Sequence, residues 1–258
     1  MSATAERNVV AAWDDAHRYS PAPRHRRRLI VDALRDLEPT EVLDAGCGQP
    51  FLLAALRERL RVPCYGCDVS DAVVRDPAWA GVADELRVVD LERAAWPDGR
   101  TFDVVVCSEV LEHIGDWRAA LGHVAAMTRR SLLVTVPGGR RRPMDAIVGH
   151  HRHFTVGEIE DALRAEGLTP VSARRWGFPL HTLYRWAISR AGADRMYDRF
   201  GTERYSKTQI ALSNALYAAF FVNDLFRRGD QVIVLANRAN RGSSLSLQHR
   251  NLVWQRKT

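Results

Sequence analysis

The run Val42-Leu43-Asp44-Ala45-Gly46-Cys47-Gly48-Gln49-Pro50, followed by the apolar residues Phe51, Leu52 and Leu53, constrains the fold more than any other stretch of this chain. It reads as a short buried strand, a glycine turn and a helix start, an arrangement that lets backbone approach a bound molecule, because a Cβ at either glycine would obstruct that approach. Alone, Gly-x-Gly after a strand serves dinucleotides, nucleotides and plain tight turns alike. The next hundred residues narrow the choice.

An apolar run at residues 62–67 ends in Asp68, and another at 86–89 ends in Asp90-Leu91-Glu92. Each acid falls where a parallel strand would end, in reach of ribose hydroxyls or an adenine amino group at the crevice where strand order reverses. A fourth strand, 102–107, runs directly into Ser108-Glu109-Val110-Leu111-Glu112-His113, and a fifth, 131–136, ends in Pro137-Gly138-Gly139. Helical patterns at 27–37, 51–60, 71–80, 116–128 and 156–166 alternate with these strands, and Gly167 closes the last of them. Such alternation is that of right-handed βαβ units and an α/β fold with a parallel sheet.

The ordered set of motifs resembles the class I S-adenosylmethionine-dependent methyltransferases, over residues 25–175 and, more loosely, the closing strand 231–237. The resemblance implies a Rossmann-like, doubly wound, seven-stranded and mostly parallel sheet with S-adenosyl-L-methionine as cofactor. It implies that Asp44, Gly46, Cys47 and Gly48 lie against the methionine part, that Asp68 with neighbouring Val69 holds the ribose, that Asp90 and Leu91 flank the adenine, and that Ser108 and Glu109 line the methyl-transfer pocket. One departure stands out: Pro50 occupies a place where the family usually has a third glycine. Proline suits the first turn of a helix, where its missing N–H has no partner to lose.

The 258 residues, 46% hydrophobic and 26% charged, suffice for one large core with appendages. No run of about twenty uncharged apolar residues occurs, and the first residues lack the basic-then-apolar order of a secretory signal, so the expected location is the cytoplasm. Cys47 and Cys107 fall in or beside core elements, as expected where disulfides are rare. Cys64 and Cys67 have redox or zinc spacing, but an extended strand would not converge them on one metal. The charge of +6 is scattered through several arginine groups and no RNA-binding module is evident, so nucleic acid is not the expected partner. Arg140, Arg141 and Arg142 differ, because they follow the fifth strand at the rim of the crevice and could meet an anionic small-molecule acceptor; a solvated loop is the plainer reading.

Residues 1–25 are expected to form a helical lid, 26–177 with 230–238 the cofactor-binding domain, and 239–258 a flexible tail. Between the sixth strand, 168–176, and the last, 231–236, roughly fifty residues intervene, with helix-like aromatic segments at 178–190 and 208–226. A loop of that length carries its own structure and often function. A cap over the acceptor pocket is favoured over a homodimer surface, and both over contact with lipid.

Methyl transfer from a sulfonium is an in-line displacement, so alignment comes first and proton removal second. Histidine suits proton removal near neutral pH. Gly149-His150-His151-Arg152-His153-Phe154-Thr155 resembles a segment found over the active site in many small-molecule methyltransferases, where His150 and His153 would be base or positioning residues. His113 is a further candidate; caps and loop contacts are the structural alternative for all three. No metal is expected, since no nearby carboxylate or cysteine completes a coordination sphere. Asp103 is expected to be structural. The reading is therefore a methyltransferase acting on a small molecule, O-methylation first, in natural product, sugar or lipid-linked biosynthesis. Two rivals remain: a protein of the same fold with a non-methyltransfer or non-enzymatic role, and an NAD(P)-dependent Rossmann oxidoreductase. Against the latter, the third residue beyond Gly48 is Phe51 and not glycine.

Overall fold

Strands covered on both faces read as near-continuous apolar runs, and the runs between residues 42 and 137 form the centre of the computed structural model, which describes residues 14–191 and 204–239. In chain order, α1 (Asp14–Tyr19) and α2 (Pro21–Leu37) precede β1 (Val42–Ala45), α3 (Phe51–Leu60), β2 (Cys64–Asp68), α4 (Asp71–Val74) and β3 (Glu85–Val88). Then follow β4 (Phe102–Ser108), α5 (Trp117–Ala126), β5 (Thr128–Pro137), α6 (Pro143–Ile147), α7 (Val156–Ala165) and β6 (Leu168–Trp176). Helices α8 (Leu180–Ala191) and α9 (Lys207–Ala219) intervene before β7 (Gln231–Arg238). The sheet order is β3-β2-β1-β4-β5-β7-β6, with β7 antiparallel to both neighbours and every other strand running one way. This is the α/β, doubly wound, seven-stranded arrangement expected.

Alternation along each strand sends side chains to two cores. On one face Leu43, Val105 and Leu132 pack with Leu121 and Val124 of α5 and Ile159 and Leu163 of α7. On the other, Val42, Val104 and Leu133 pack with Ile30 and Leu34 of α2 and Leu53 and Leu56 of α3. Burying each such Leu or Ile is worth about 1.5 to 3 kcal/mol, so removing the cover of either face would unseat the sheet. The same alternation puts Cys64 in one core and Cys67 in the other, which is why their spacing does not make a metal pair.

Several elements differ from the sequence reading. Residues 71–80 do not form one helix: α4 stops at Val74, Pro77 has no N–H to continue it, and a separate 3-10 turn runs Pro77–Trp79, capped by the Asp76 side chain. Helix α2 begins at Pro21, so the boundary between lid and domain expected at residues 25 and 26 falls inside a helix. Pro50 stands just before α3 as its N-cap residue and not in its first turn. Within the insertion, α9 is followed by a 3-10 segment, Phe220–Leu225. Of the N-terminal helix expected at 9–19, only Asp14–Tyr19 lies within the described residues, and the tail beyond residue 239 lies outside them.

Strand order reverses at β1, whose neighbours β2 and β4 lead to opposite edges of the sheet. Loops leaving these strands therefore diverge, and a crevice opens at their carboxyl ends.

Candidate active site

The turn after β1 wraps around the end of β2, where the N–H groups of Gly46 and Cys47 both donate to the Cys67 carbonyl at 2.8 Å. Gly46 has φ +80°, and a Cβ there would lie 2.4 Å from Cγ2 of Val110. Gly48 has φ +48° and nothing within 4 Å of where its Cβ would stand. The first glycine is thus required by packing, the second by backbone conformation beside open space.

That space is a crevice in two halves sharing Gly46, Gly48 and Glu109. One half is bordered by Asp44, Cys47, Ser108 and residues of α2 including Arg26 and Arg27. The other, about 430 Å³, is bordered by Asp68, Val69, Asp90, Leu91 and His113. All ten residues expected to contact cofactor therefore line one crevice. Asp68 accepts from the N–H of Gly48 at 2.8 Å through one oxygen and of Ser70 at 2.9 Å through the other. Asp90 caps its own turn by accepting from the Glu92 N–H at 3.1 Å. Burial, and then the charge of Asp68, lifts the Asp44 carboxyl from 3.8 to about 7.

Glu109 sits at the junction in the left-handed region, φ +57°. Its Oε1 accepts from Gln231 Nε2 at 2.6 Å and from the Thr135 hydroxyl at 3.2 Å, and Oε2 pairs with Arg26 at 3.2 Å. Sequence reading missed all three partners. They lie 83, 122 and 26 residues away, and only the packing of α2 and the pairing of β5 with β4 and β7 bring them together. With the Thr135 proton given to Glu109, the Ser108 hydroxyl donates to Thr135 Oγ1 at 2.8 Å.

The histidines gather on one side of this junction. The rings of His113 and His150 stand edge to face with centroids 4.9 Å apart. His150 Nδ1 lies 3.4 Å from His153 Nε2, and His153 Nδ1 lies 3.1 Å from the Gly139 carbonyl oxygen. His113 lines the crevice directly, and the His150 ring stands against it, with His153 next to His150. Burial lowers all three from 6.5, His150 to about 4 with the His113 charge as the next cause. Thr155 and Glu158, not His153, cap α7, in a reciprocal box with the Thr155 hydroxyl and the Glu158 carboxylate each meeting the other's N–H.

The expectation that no carboxylate approaches these histidines is corrected by the fold. Asp145 on α6 lies 3.3 Å from His153 Nε2 and 4.0 Å from His150 Nδ1. Glu112 also lies close, forming with His113 and His150 a second group whose ligand-capable atoms are within 4.8 Å of one another. Separation alone would allow a cation in either group. Asp145, however, already accepts from Arg185 at 2.6 Å and from the Arg142 N–H at 2.7 Å, so a fixed positive charge stands against its carboxylate. Glu112 is fully buried with neither carboxylate oxygen hydrogen-bonded among the described residues, and burial followed by the Glu109 charge pushes its carboxyl well above the usual range. A neutral acid is a poor metal ligand.

Arg140 and Arg141 are exposed and border neither half of the crevice, whereas Arg142 is half-buried, 3.9 Å from Asp230. The insertion reaches the site through Arg185 of α8, while α9 covers α2 through Arg24 to Asn214 at 2.8 Å and His25 to the Tyr217 carbonyl at 2.8 Å. Leu183, Trp186, Leu212 and Leu225 of the insertion stay exposed. Among the described residues no helix is long and apolar enough to cross a membrane.

Over residues 16–173 the chain matches a family described as a methyltransferase domain. A ubiquinone biosynthesis O-methyltransferase of Bordetella avium (strain 197N) is 25% identical over 197 residues, which cover 67% of this chain and 81% of that protein. A protein of the same description from Rhizobium etli (strain CIAT 652) is 37% identical over 106 residues, 40% of this chain and 42% of that relative. Beyond the first, such relatives are spanned over between 38% and 54% of their length. The crystal structure of a magnesium protoporphyrin IX methyltransferase from Synechocystis PCC 6803 with bound SAH shares the fold, with a TM-score of 0.51 at 17% identity and 83% of each chain covered.

Proposed function

The chain belongs to the class I S-adenosylmethionine-dependent methyltransferases, and from that membership we propose that it methylates a hydroxyl oxygen of a small acidic molecule. A nicotinamide-dependent oxidoreductase is set aside by the family match. The observation that carries the proposal is the single crevice around Gly46, Gly48 and Glu109, with carboxylates of Asp68 and Asp90 along one half and histidines at its side. The residues fit the cofactor: the open space at Gly48 is where a Cβ would stand, and acceptor carboxylates face the half suited to a ribose and an adenine. When bound, S-adenosyl-L-methionine supplies a methyl group on a sulfonium, and with it the leaving group.

In this reading Asp68 and Asp90 hold the ribose and adenine, and Asp44, Gly46, Cys47 and Gly48 border the methionine part. Glu109, held on both oxygens, fixes the floor where the two halves meet. His113 and His150 are the groups placed to take the proton from the acceptor hydroxyl. Arg140 and Arg141 would attract an acidic group on the acceptor. O-methylation agrees with the relatives named for ubiquinone biosynthesis, and Arg185, which joins the insertion to the histidine cluster, supports a substrate-lining role for the insertion over a purely dimeric one.

The test is calorimetric titration with S-adenosylmethionine, S-adenosylhomocysteine and NADH, followed by transfer assays with 3,4-dihydroxybenzoate and with unsubstituted catechol. Binding of the two sulfur compounds alone, with transfer favouring the acid, is expected. Binding without transfer to any hydroxyl would replace catalysis with a binding role, and equal rates for the two catechols would remove the anionic preference. His150→Ala should lower turnover while leaving S-adenosylhomocysteine affinity unchanged.

A further inference from the structure

A carbonyl oxygen can only accept a hydrogen bond, so the 3.1 Å contact with Gly139 puts the proton of a neutral His153 on Nδ1 and leaves Nε2 bare. That bare nitrogen faces His150 Nδ1 at 3.4 Å. Two lone pairs would repel there, so His150 carries its proton on Nδ1 and donates it. His150 Nε2 is then bare, on the part of the ring turned away from the pair, and the ring stands against His113 of the crevice wall. Behind His153, the Asp145 carboxylate lies 3.3 Å from Nε2, its charge balanced by Arg185 and the Arg142 N–H while the pair is neutral.

From this geometry we propose that His150, His153 and Asp145 form a proton relay for the acceptor, with His150 Nε2 as the entry, His153 Nε2 as the receiving atom and Asp145 as the positioning residue that stabilises the resulting imidazolium. The inference rests on the methyl-transfer reading above. As the acceptor O–H bond breaks, an N–H bond forms at His150 Nε2; as the His150 Nδ1–H bond breaks, an N–H bond forms at His153 Nε2. One proton enters and one positive charge appears on His153, where Asp145 meets it. Loss of the His150 Nε2 proton to water and return of the His153 proton to His150 Nδ1 reset the pair. Burial keeps His150 a poor long-term holder of a proton, which favours passing it inward.

The groups that face the pair are His113, Glu109 and Glu112, the last kept uncharged by burial, from the segment after β4, Asp145 from α6, Arg185 from α8 and Arg141 from the loop after β5. Of these, Asp145 and Glu109 favour the protonated pair, and His113, Arg185 and Arg141 oppose it.

Long-range 1H–15N NMR of the full chain, labelled at histidine and saturated with S-adenosylhomocysteine, reads both tautomers across a pH series. Nδ1–H forms are expected for both rings with His150 Nε2 unprotonated. In Asp145→Asn the midpoint for protonating the pair should fall by about one pH unit, the effect of removing one opposite charge at this range, and His153→Gln should move the His150 midpoint. An Nε2–H tautomer at His150 in the wild type, which needs no variant to fold, would overturn the relay, as would midpoints that neither substitution moves. A stoichiometric metal found by elemental analysis, with both rings shifted by its removal, would also overturn it. Failure of the methyl-transfer reading is separate and shows as absent S-adenosylhomocysteine binding by calorimetry.

Discussion

Replacing Gly46 and Gly48 by alanine, one at a time, should separate packing from ligand space within a single turn. At Gly46 the new methyl would stand 2.4 Å from Val110 Cγ2 and 2.9 Å from Cγ1, so Val110 or the turn must shift. Overpacking of this kind costs about 1 to 3 kcal/mol, and an alanine held at positive φ costs about 1 to 2 kcal/mol more. A total near 3 kcal/mol lowers the thermal midpoint of a domain this size by about 6 to 12 °C. At Gly48 the methyl meets nothing within 4 Å, so only the conformational cost of about 1 to 2 kcal/mol remains. The same methyl would project into the crevice, and S-adenosylhomocysteine affinity should fall at least about tenfold, or 1.4 kcal/mol. Thermal melts and calorimetry on the two variants, with Gly46→Ala/Val110→Ala as a third, make the comparison. The double variant should regain part of the stability lost at Gly46, because removing the Val110 methyls relieves the closest contacts, offset by the packing those methyls made with the core. The reasoning fails if Val110→Ala restores nothing, or if Gly48→Ala binds S-adenosylhomocysteine as well as the wild type.

Asp68→Ala should weaken cofactor binding by about 1 to 3 kcal/mol if its carboxylate holds the ribose; unchanged affinity by calorimetry would remove that assignment. Asp44, raised to about 7, holds a proton in the fold that the unfolded chain releases near 3.8, so it favours folding most at acid pH and loses that contribution as pH rises through 7. Asp44→Asn should therefore flatten the fall in thermal midpoint between pH 5 and pH 8, and a cationic cofactor should displace a proton near pH 6, visible as a buffer-dependent binding enthalpy. Asp103 is the opposite case: its bonds to Arg130 at 2.8 Å, offset in part by burial, hold it at about 2. Its contribution is complete above pH 4 and disappears as pH falls through 2, and Asp103→Asn should cost about 1 to 2 kcal/mol at pH 7 by denaturant titration, allowing for the partly exposed Arg130. Thr155→Ala should cost about 1 kcal/mol in the same assay through loss of the α7 cap.

What the sequence determined by itself is what short-range chemistry encodes. The apolar runs ending in Asp68, Asp90 and Ser108-Glu109 marked strand ends, because a strand buried on both faces must be apolar and its exit must supply the polar groups. Alternation of such runs with helical periodicity sufficed for the parallel sheet, and the glycine turn for the crevice. Periodicity overran at residues 71–80 because Pro77 outweighs the pattern around it. Tertiary structure alone decided the partners of those residues. Arg26 meets Glu109 across 83 residues and Gln231 meets it across 122; no local pattern marks either, since the meeting depends on α2 lying over β4 and on β7 inserting between β5 and β6. Asp145 was only eight residues before His153, yet its role was invisible in sequence, because a five-residue helix had to turn its carboxylate back toward the histidines while Arg185 came in from the insertion. Strand ends are fixed by the composition of a few adjacent residues, whereas the charge environment of a buried histidine is fixed by whichever elements the sheet order brings beside it.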